Sequence, residues 1–375
     1  MVLTMASSLR SSSLHFGRSI ARAPIRHVSP IPRFHRNISA GTSRLHPDSK
    51  EDDSTNVWKL TQEDQARYWQ GYLSTRPKYT DSFYNLIYNY HASQSKTPSF
   101  DVAHDVGAGP GQVAVKLAEK YKHVVVSDNN ENHVDYARYA LSKTDIPAER
   151  FSYDVALGEE LGVQYPANSA DLVVCALMFP LMDTATALQS FRTVLKPNGT
   201  LAVWFYGRAH FSEPEYAEIC QPVLDAIINH HFGGVIKGGG PEHTAGWKRA
   251  ADGIASWLDY IPFAQEEWKS VQRHKWNTEW TQLGFFGQDA CNFPVEPVSE
   301  VKEGEVTIEK QDRDLWKKDW NLAQLRQFVQ HIFPFNGTDE EPVKPLWAEL
   351  EKKMGGAQAQ RTFSWPVVLV LASKK

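Results

Sequence analysis

The feature that most constrains the fold is a short apolar strand that runs into a turn with glycines at every second position. The stretch reads S-F-D-V-A-H-D-V-G-A-G-P-G from Ser99 to Gly111, and a helical segment follows at once. Glycine lets the backbone turn sharply and approach a ligand where a side chain would collide. This strand–loop–helix context predicts a ligand-binding loop of an α/β fold.

The spacing of the glycines restricts the ligand. A dinucleotide-binding loop carries its third glycine three residues after the second, so that a pyrophosphate can reach the helix start. Gln112 occupies that position here, and Pro110 removes one backbone amide that a phosphate would use. The acid before the loop, Asp105, would repel a phosphate. The sequence therefore disfavours a nicotinamide-dependent oxidoreductase.

Strand and helix patterns alternate along the central part of the chain. The predicted strands are 102–106, 123–127, 151–155, 171–176 and 200–205, and the predicted helices are 112–120, 130–143 and 184–195. Repeated β–α units with short links predict a mostly parallel, doubly wound sheet with helices on both faces.

Ligands of such sheets bind beyond the carboxyl ends of the strands. Asp105, Asp128, Asp154 and Cys175 lie at or near the ends of the first four predicted strands. We therefore expect all four segments to meet at one crevice. Two of the acids have simpler interpretations: Asp128 as a helix cap and Asp154 as a solvated loop acid.

The motif Asp105-x-Gly-x-Gly-x-Gly resembles the first motif of class I S-adenosylmethionine-dependent methyltransferases. The turn K-P-N-G at 196–199, before the fifth predicted strand, is a further feature of that family. The resemblance implies S-adenosylmethionine as the cofactor and a Rossmann-like sheet of seven strands. The last strand, within 362–372, would be inserted antiparallel.

The resemblance also implies a place for each part of the cofactor. The loop would hold the methionine end, Asp128 the two ribose hydroxyls and Asp154 the adenine amino group, with Val155 against the ring. The expected cofactor-binding residues are Asp105, Gly107, Ala108, Gly109, Gly111, Asp128, Asn129, Asp154, Val155 and Cys175.

From about Tyr68 to its end, the chain resembles a fungal branch of small-molecule methyltransferases similar to trans-aconitate methyltransferase. The branch includes enzymes that S-methylate dithiols. Where aconitate-type enzymes carry a His-Trp-Phe-Asp-like run, this chain reads A-L-M-F-P at 176–180, which makes the wall more apolar. A tricarboxylate substrate is therefore disfavoured, and a larger apolar acid, phenol or thiol is favoured.

The expected substrate contacts come from an N-terminal segment, from that apolar run and from a tryptophan-rich region. They are Tyr72, Arg76, Tyr79, Met178, Phe179 and Trp247. The planar guanidinium of Arg76 is suited to pair with a carboxylate.

We expect residues 207–292, which break the alternation, to form a helical cap over the crevice. His210 is the best-placed candidate for a general base, although a lone histidine is more often structural.

The charge distribution separates the first 47 residues from the rest. They contain seven arginines, no lysine and no acid, whereas the whole chain has 40 basic and 44 acidic residues. An acidic body argues against a nucleic-acid substrate. The leader, 1–47, is typical of a mitochondrial transit peptide; the alternatives are a disordered arm or a start codon placed too far upstream. We expect residues 48–375 to form one methyltransferase domain, cytoplasmic if the leader is not a targeting signal.

Other features exclude further classes of protein. The three cysteines, Cys175, Cys220 and Cys291, have no metal-ligand spacing and are typical of a reducing compartment. No apolar run reaches the roughly 18 residues that span a bilayer. We expect no metal, no nucleic acid and no membrane span, and a monomer or weak dimer.

Together these patterns predict methyl transfer from S-adenosylmethionine to a small, largely apolar metabolite of secondary metabolism. A carboxylate or thiolate would be the nucleophile, giving O- or S-methylation. The alternative is a pseudo-methyltransferase that binds the cofactor but serves as a scaffold or assembly factor.

Overall fold

The computed structural model describes residues 62–238, 240–280, 283–284, 286–332 and 341–375. The predicted leader, 1–47, lies outside these residues. Within the described part, no helix is both long and apolar enough to cross a bilayer.

The described elements follow one another as helices and strands along the chain. The helices are α1 (Gln62–Thr75), α2 (Asp81–Ser93), α3 (Gln112–Lys120), α4 (Glu131–Leu141), α5 (Leu161–Gln164), α6 (Thr184–Val194), α7 (Pro214–Lys237), α8 (Pro241–Ala255), α9 (Leu322–Gln330) and α10 (Lys344–Met354). The strands are β1 (Val102–Val106), β2 (His123–Asp128), β3 (Phe151–Val155), β4 (Ala170–Ala176), β5 (Leu195–Tyr206), β6 (His210–Phe211), β7 (Trp268–Trp276), β8 (Val306–Lys310), β9 (Lys318–Trp320), β10 (Arg361–Ser364) and β11 (Val367–Lys374).

The main sheet has the strand order β3-β2-β1-β4-β5-β11-β7-β8. The strands from β3 to β5 are parallel to their neighbours, and β11 runs antiparallel to both β5 and β7. This is the predicted Rossmann-like, mostly parallel sheet with an inserted antiparallel strand. The order reverses between β1 and β4, which places the switch point beside the glycine loop.

The predicted strand number was wrong. The described residues contribute eight strands to the main sheet, not seven, and β7 is one that the sequence did not suggest. Strand β7 lies inside 207–292, the region expected to be helical. The earlier part of that region does form two helices, α7 and α8. Trp268 and Trp276 bound β7 and are buried in the core, so these two tryptophans belong to the sheet.

The C-terminal apolar stretch also divides into two strands. The chain leaves β10 at Ser364 and enters β11 at Val367, with Pro366 between them. Proline cannot donate a hydrogen bond to a strand ladder, so a break at this point is expected. Strand β10 instead joins a separate sheet of order β6-β10-β9.

Candidate active site

The loop after β1 makes a sharp turn that only glycine adopts easily. Gly107, Gly109 and Gly111 have φ angles of +67°, +51° and +80°. A Cβ at Gly107 would lie 2.6 Å from Cγ of Met178, and one at Gly109 would lie 3.3 Å from the indole of Trp69. The loop is therefore both conformationally and sterically restricted to glycine, as a backbone that cradles a ligand requires.

A pocket lies at the carboxyl ends of β1, β2 and β4. Its walls come from the glycine loop, from the segments that follow β2 and β4, and from the N-terminal helix α1 and the residues just after it. The lining residues are Trp69, Tyr72, Tyr79, Asp105, Gly107, Ala108, Gly109, Pro110, Gln112, Val113, Asp128, Asn129, His133, Ala176, Leu177, Met178 and Leu181.

Asp105 supplies an acid at the base of this pocket. Its side chain is buried, and its Oδ2 atom has no hydrogen-bond partner within the described residues. Burial raises the pKa of Asp105 to about 7, although the backbone amide of Ala114 acts in the opposite direction. A buried carboxyl oxygen without a partner is costly unless a ligand completes its hydrogen bonding.

Asp128, at the end of β2, is held by three donors. Its Oδ2 accepts the Gly109 amide at 3.0 Å, and its Oδ1 accepts the Asn130 amide and His133 Nδ1, each at 3.1 Å. Asn130, not Asp128, caps α4, because its side chain accepts the amide of Asn132. The simpler interpretation of Asp128 as the cap is therefore wrong.

These features fit S-adenosylmethionine. The glycine loop leaves room for the backbone to approach a ligand, and the unpartnered Oδ2 of Asp105 suits a cationic group. A carboxylate has four acceptor positions, and the three donors on Asp128 leave one on Oδ2 that faces no described donor. Asp105 and the loop would hold the methionine end. The open position on Asp128 would accept one ribose hydroxyl, where the resemblance implied two.

Six of the ten expected cofactor residues line this pocket: Asp105, Gly107, Ala108, Gly109, Asp128 and Asn129. Gly111 does not line it but is the N-cap residue of α3, in the left-handed conformation, directly before the helix begins at Gln112.

The other three expected cofactor residues lie outside the lining. Asp154 accepts a hydrogen bond from the hydroxyl of Tyr165 at 2.5 Å, and Val155 is half exposed. The side chain of Cys175 is fully buried, and burial raises its pKa. All three are at or next to strand ends, as predicted, but Asp154 is paired with Tyr165 and Cys175 is buried in the hydrophobic core.

Three of the expected substrate residues, Tyr72, Tyr79 and Met178, also line the pocket. Phe179 does not, because its ring is fully buried against Phe191. Trp247 does not either, because it lies on α8 and contacts the ring of Phe286.

Arg76 is not part of the pocket lining. The residue is only 4% exposed, and its guanidinium donates to the hydroxyl of Tyr206 and to the main-chain carbonyls of His331 and Ile332, at 3.3, 3.2 and 2.9 Å. Arg76 is therefore not positioned to pair with a substrate carboxylate, contrary to the expectation from the sequence. Arg76 joins the end of α1 to β5 and to the chain just after α9.

His210 also lies outside the pocket lining. It lies in β6, where its ring stacks on Trp280 with centroids 4.4 Å apart and its Nδ1 contacts the carbonyl of Phe211 at 2.9 Å. Burial lowers its pKa. Because it does not line the pocket, His210 is not positioned as a general base there.

Sequence reasoning missed Trp69 and His133, which both line the pocket. Trp69 belongs to an aromatic run in α1 whose distance along the chain from the glycine loop hides its contact with Gly109. His133 follows Asp128 by five residues, in the first turn of α4, and that short spacing was an available signal. Leu177 lines the pocket as part of the expected apolar wall, but its φ of +68° directly after β4 is a feature that no sequence pattern indicates.

Comparison with known proteins agrees with this geometry. Residues 104–203 match the family described as a methyltransferase domain. The chain is 40% identical to methyltransferase pgmE of Aspergillus terreus over 86% of this chain and 97% of that protein. It is 37% identical to methyltransferase ptaI of Pestalotiopsis fici and 36% identical to methyltransferase cfoB of Aspergillus candidus, in each case over 82% of this chain and at least 93% of the relative.

The matched domain contains most of the glycine loop of this chain, and the similarity to the three relatives extends over nearly their whole length. The chain therefore belongs to the class I S-adenosylmethionine-dependent methyltransferases, in a family with members in fungi, and S-adenosylmethionine is its cofactor.

Proposed function

We propose that this enzyme methylates an oxygen or sulfur atom of a small, largely apolar metabolite, within secondary metabolism. The observation that carries the proposal is the composition of the pocket wall beyond the cofactor acids. That wall consists of Trp69, Tyr72, Tyr79 and the run Ala176–Leu177–Met178 with Leu181. Among the described lining residues there is no lysine and no arginine, so a polyanionic acceptor would find no counter-charge.

The protein's contribution to methyl transfer is alignment of the acceptor and exclusion of water. When bound, S-adenosylmethionine supplies an electrophilic methyl group on a sulfonium. The aromatic rings of Tyr72 and Tyr79 and the side chain of Met178 would pack against an apolar acceptor and orient it by shape. This arrangement favours acceptors with a flat or branched hydrocarbon body.

Apart from Asp105, which would hold the methionine end of the cofactor, the titratable groups favour an acceptor that is already ionised. Burial raises the pKa of Tyr79 well above its ordinary value, so its phenol stays protonated and is no base. Asp128 is held by backbone amides and His133, and His210 lies elsewhere. A carboxylate or thiolate acceptor needs no strong base, whereas an alcohol would.

The experiment is a methyl-transfer screen with the full chain and radiolabelled S-adenosylmethionine. The panel contains apolar carboxylic acids, thiols and dithiols, phenols, trans-aconitate and citrate. We expect label in the apolar acids or thiols. Turnover confined to trans-aconitate or citrate would overturn the proposal. Intact cofactor binding without turnover of any acceptor would favour the scaffold alternative.

A further inference from the structure

In the pocket, the side chain of His133 lies next to the carboxylate of Asp128. Its Nδ1 lies 3.1 Å from Asp128 Oδ1, and both side chains are less than one tenth exposed. The other two donors to this carboxylate are the backbone amides of Gly109 and Asn130. Within the described residues, His133 is therefore the only side chain that donates to Asp128.

The fold fixes where the imidazole stands. Asn130 caps α4, and the amide of His133 donates to the Asn130 carbonyl at 3.0 Å, which places His133 in the first helical turn. Side chains in a helix point back towards its N-terminus. The ring of His133 is thus directed at the end of β2, where Asp128 lies.

The imidazole of His133 has a second contact, with a side chain of helix α1. The indole of Trp69, on α1, meets the ring of His133 edge to face, with centroids 5.0 Å apart and planes at 84°. The same indole lies beside Gly109, another partner of Asp128. One aromatic side chain of α1 therefore packs against two of the three groups that hold the carboxylate.

We propose that His133 is a positioning residue, which orients the Asp128 carboxylate for the cofactor ribose and is itself held by Trp69 of α1. By occupying Oδ1 together with the Asn130 amide, His133 leaves the open acceptor position on Oδ2. This inference rests on the assignment of Asp128 to the ribose but not on the class of acceptor.

The test measures binding of S-adenosylhomocysteine to the full chain by calorimetry, so it needs no acceptor. His133→Phe keeps an aromatic ring for Trp69 but removes the donor, whereas His133→Asn keeps an N–H donor near the position of Nδ1. We expect His133→Phe to raise the Kd about tenfold, as the loss of one charge-assisted hydrogen bond predicts. His133→Asn should stay within about threefold of the parent.

His91 provides a matched control. It is also a buried histidine with two hydrogen bonds, to Thr200 Oγ1 at 2.9 Å and to the Ser99 carbonyl at 2.8 Å, but it does not line the pocket. His91→Phe should lower the melting temperature and leave the Kd unchanged. An equal rise in Kd for His91→Phe and His133→Phe would mean a general structural effect and would overturn the proposal.

A double-mutant cycle separates positioning from direct contact. If His133 acts through Asp128, then His133→Phe should change the Kd by less than about twofold when Asp128 is already Ala. A full additional loss in that background would overturn the proposal. If Asp128→Ala alone leaves the Kd unchanged, the ribose assignment itself is wrong. The acceptor class is tested only by the methyl-transfer screen. Failure of the proposed function can therefore be distinguished from failure of the role proposed for His133.

Discussion

The guanidinium of Arg76 lies 4.3 Å over the ring of Tyr72, one turn earlier in the same chain segment. Tyr72 lines the pocket, whereas Arg76 donates to Tyr206 and to the carbonyls of His331 and Ile332, just after α9. Gly71 lies against His331 so closely that a Cβ there would overlap the imidazole. Arg76 thus fixes α1, and through it Tyr72, against the rest of the protein.

Replacing Arg76 by Ala should loosen α1 selectively. The change leaves two carbonyls and a hydroxyl without their charged donor, each such bond being worth about 1.5–3 kcal/mol. We expect faster amide hydrogen exchange within α1, measured by mass spectrometry, and a lower free energy of unfolding. For acceptors found in the screen, KM should rise equally for carboxylates and thiols.

Arg273 is the matched control for this prediction. It is also fully buried and donates to two carbonyls, those of Leu258 and Ile261, but it lies in β7 away from the pocket. Arg273→Ala should lower stability without changing exchange in α1 or acceptor KM. A KM increase for Arg76→Ala that is confined to carboxylate acceptors would mean that Arg76 does reach the substrate.

The raised pKa of Asp105 predicts pH-dependent stability. In the unfolded chain this carboxyl ionises near 3.8, and in the folded protein near 7. Between these values the folded state binds more protons, so the free energy of unfolding should fall as pH rises from about 4 to 7. Denaturant titrations should show that Asp105→Asn weakens this dependence; an unchanged slope would contradict the burial argument.

The same carboxyl should couple cofactor binding to proton release. A cationic ligand beside Asp105 favours the ionised form, so S-adenosylmethionine should bind more tightly as pH rises through about 7. Calorimetry in buffers of different ionisation enthalpy should detect release of about half a proton at pH 7. Asp105→Asn should abolish the dependence of the binding enthalpy on the buffer. A binding enthalpy that does not depend on the buffer in the parent protein would refute the coupling.

Gly107→Ala should damage the cofactor loop. Alanine at a φ of +67° is strained by about 1–3 kcal/mol, and its Cβ would overlap Met178. We expect lower stability and weaker binding of S-adenosylhomocysteine. Gly246, inside α8, has nothing within 4 Å of an added Cβ, so Gly246→Ala should stabilise the helix by about 0.5–1 kcal/mol and leave binding unchanged. Equal binding by both variants would argue against the loop as the cofactor cradle.

The leader carries a separate prediction that rests on its composition. If residues 1–47 are a mitochondrial transit peptide, a fluorescent reporter fused after them should accumulate in mitochondria. Changing its seven arginines to glutamine should abolish that localisation. A uniformly cytosolic reporter would favour the alternatives, an upstream start or a disordered arm.

The sequence by itself determined the features that depend on neighbouring residues. The strand, the glycine turn and the helix over 102–120 follow from local periodicity and from the backbone freedom of glycine, and the structure has them at the predicted positions. Asp105 and Asp128 lie together in the pocket because parallel strands deliver their carboxyl ends to one edge of a sheet.

Only the tertiary structure decided which side chains complete the site. Trp69 reaches the glycine loop, and Arg76 is drawn into hydrogen bonds with residues some 255 positions away, because α1 packs against α9. His210 is paired with Trp280 for the same kind of reason. Such contacts depend on how distant elements pack and on which buried polar groups need partners, and no local pattern in the chain encodes either.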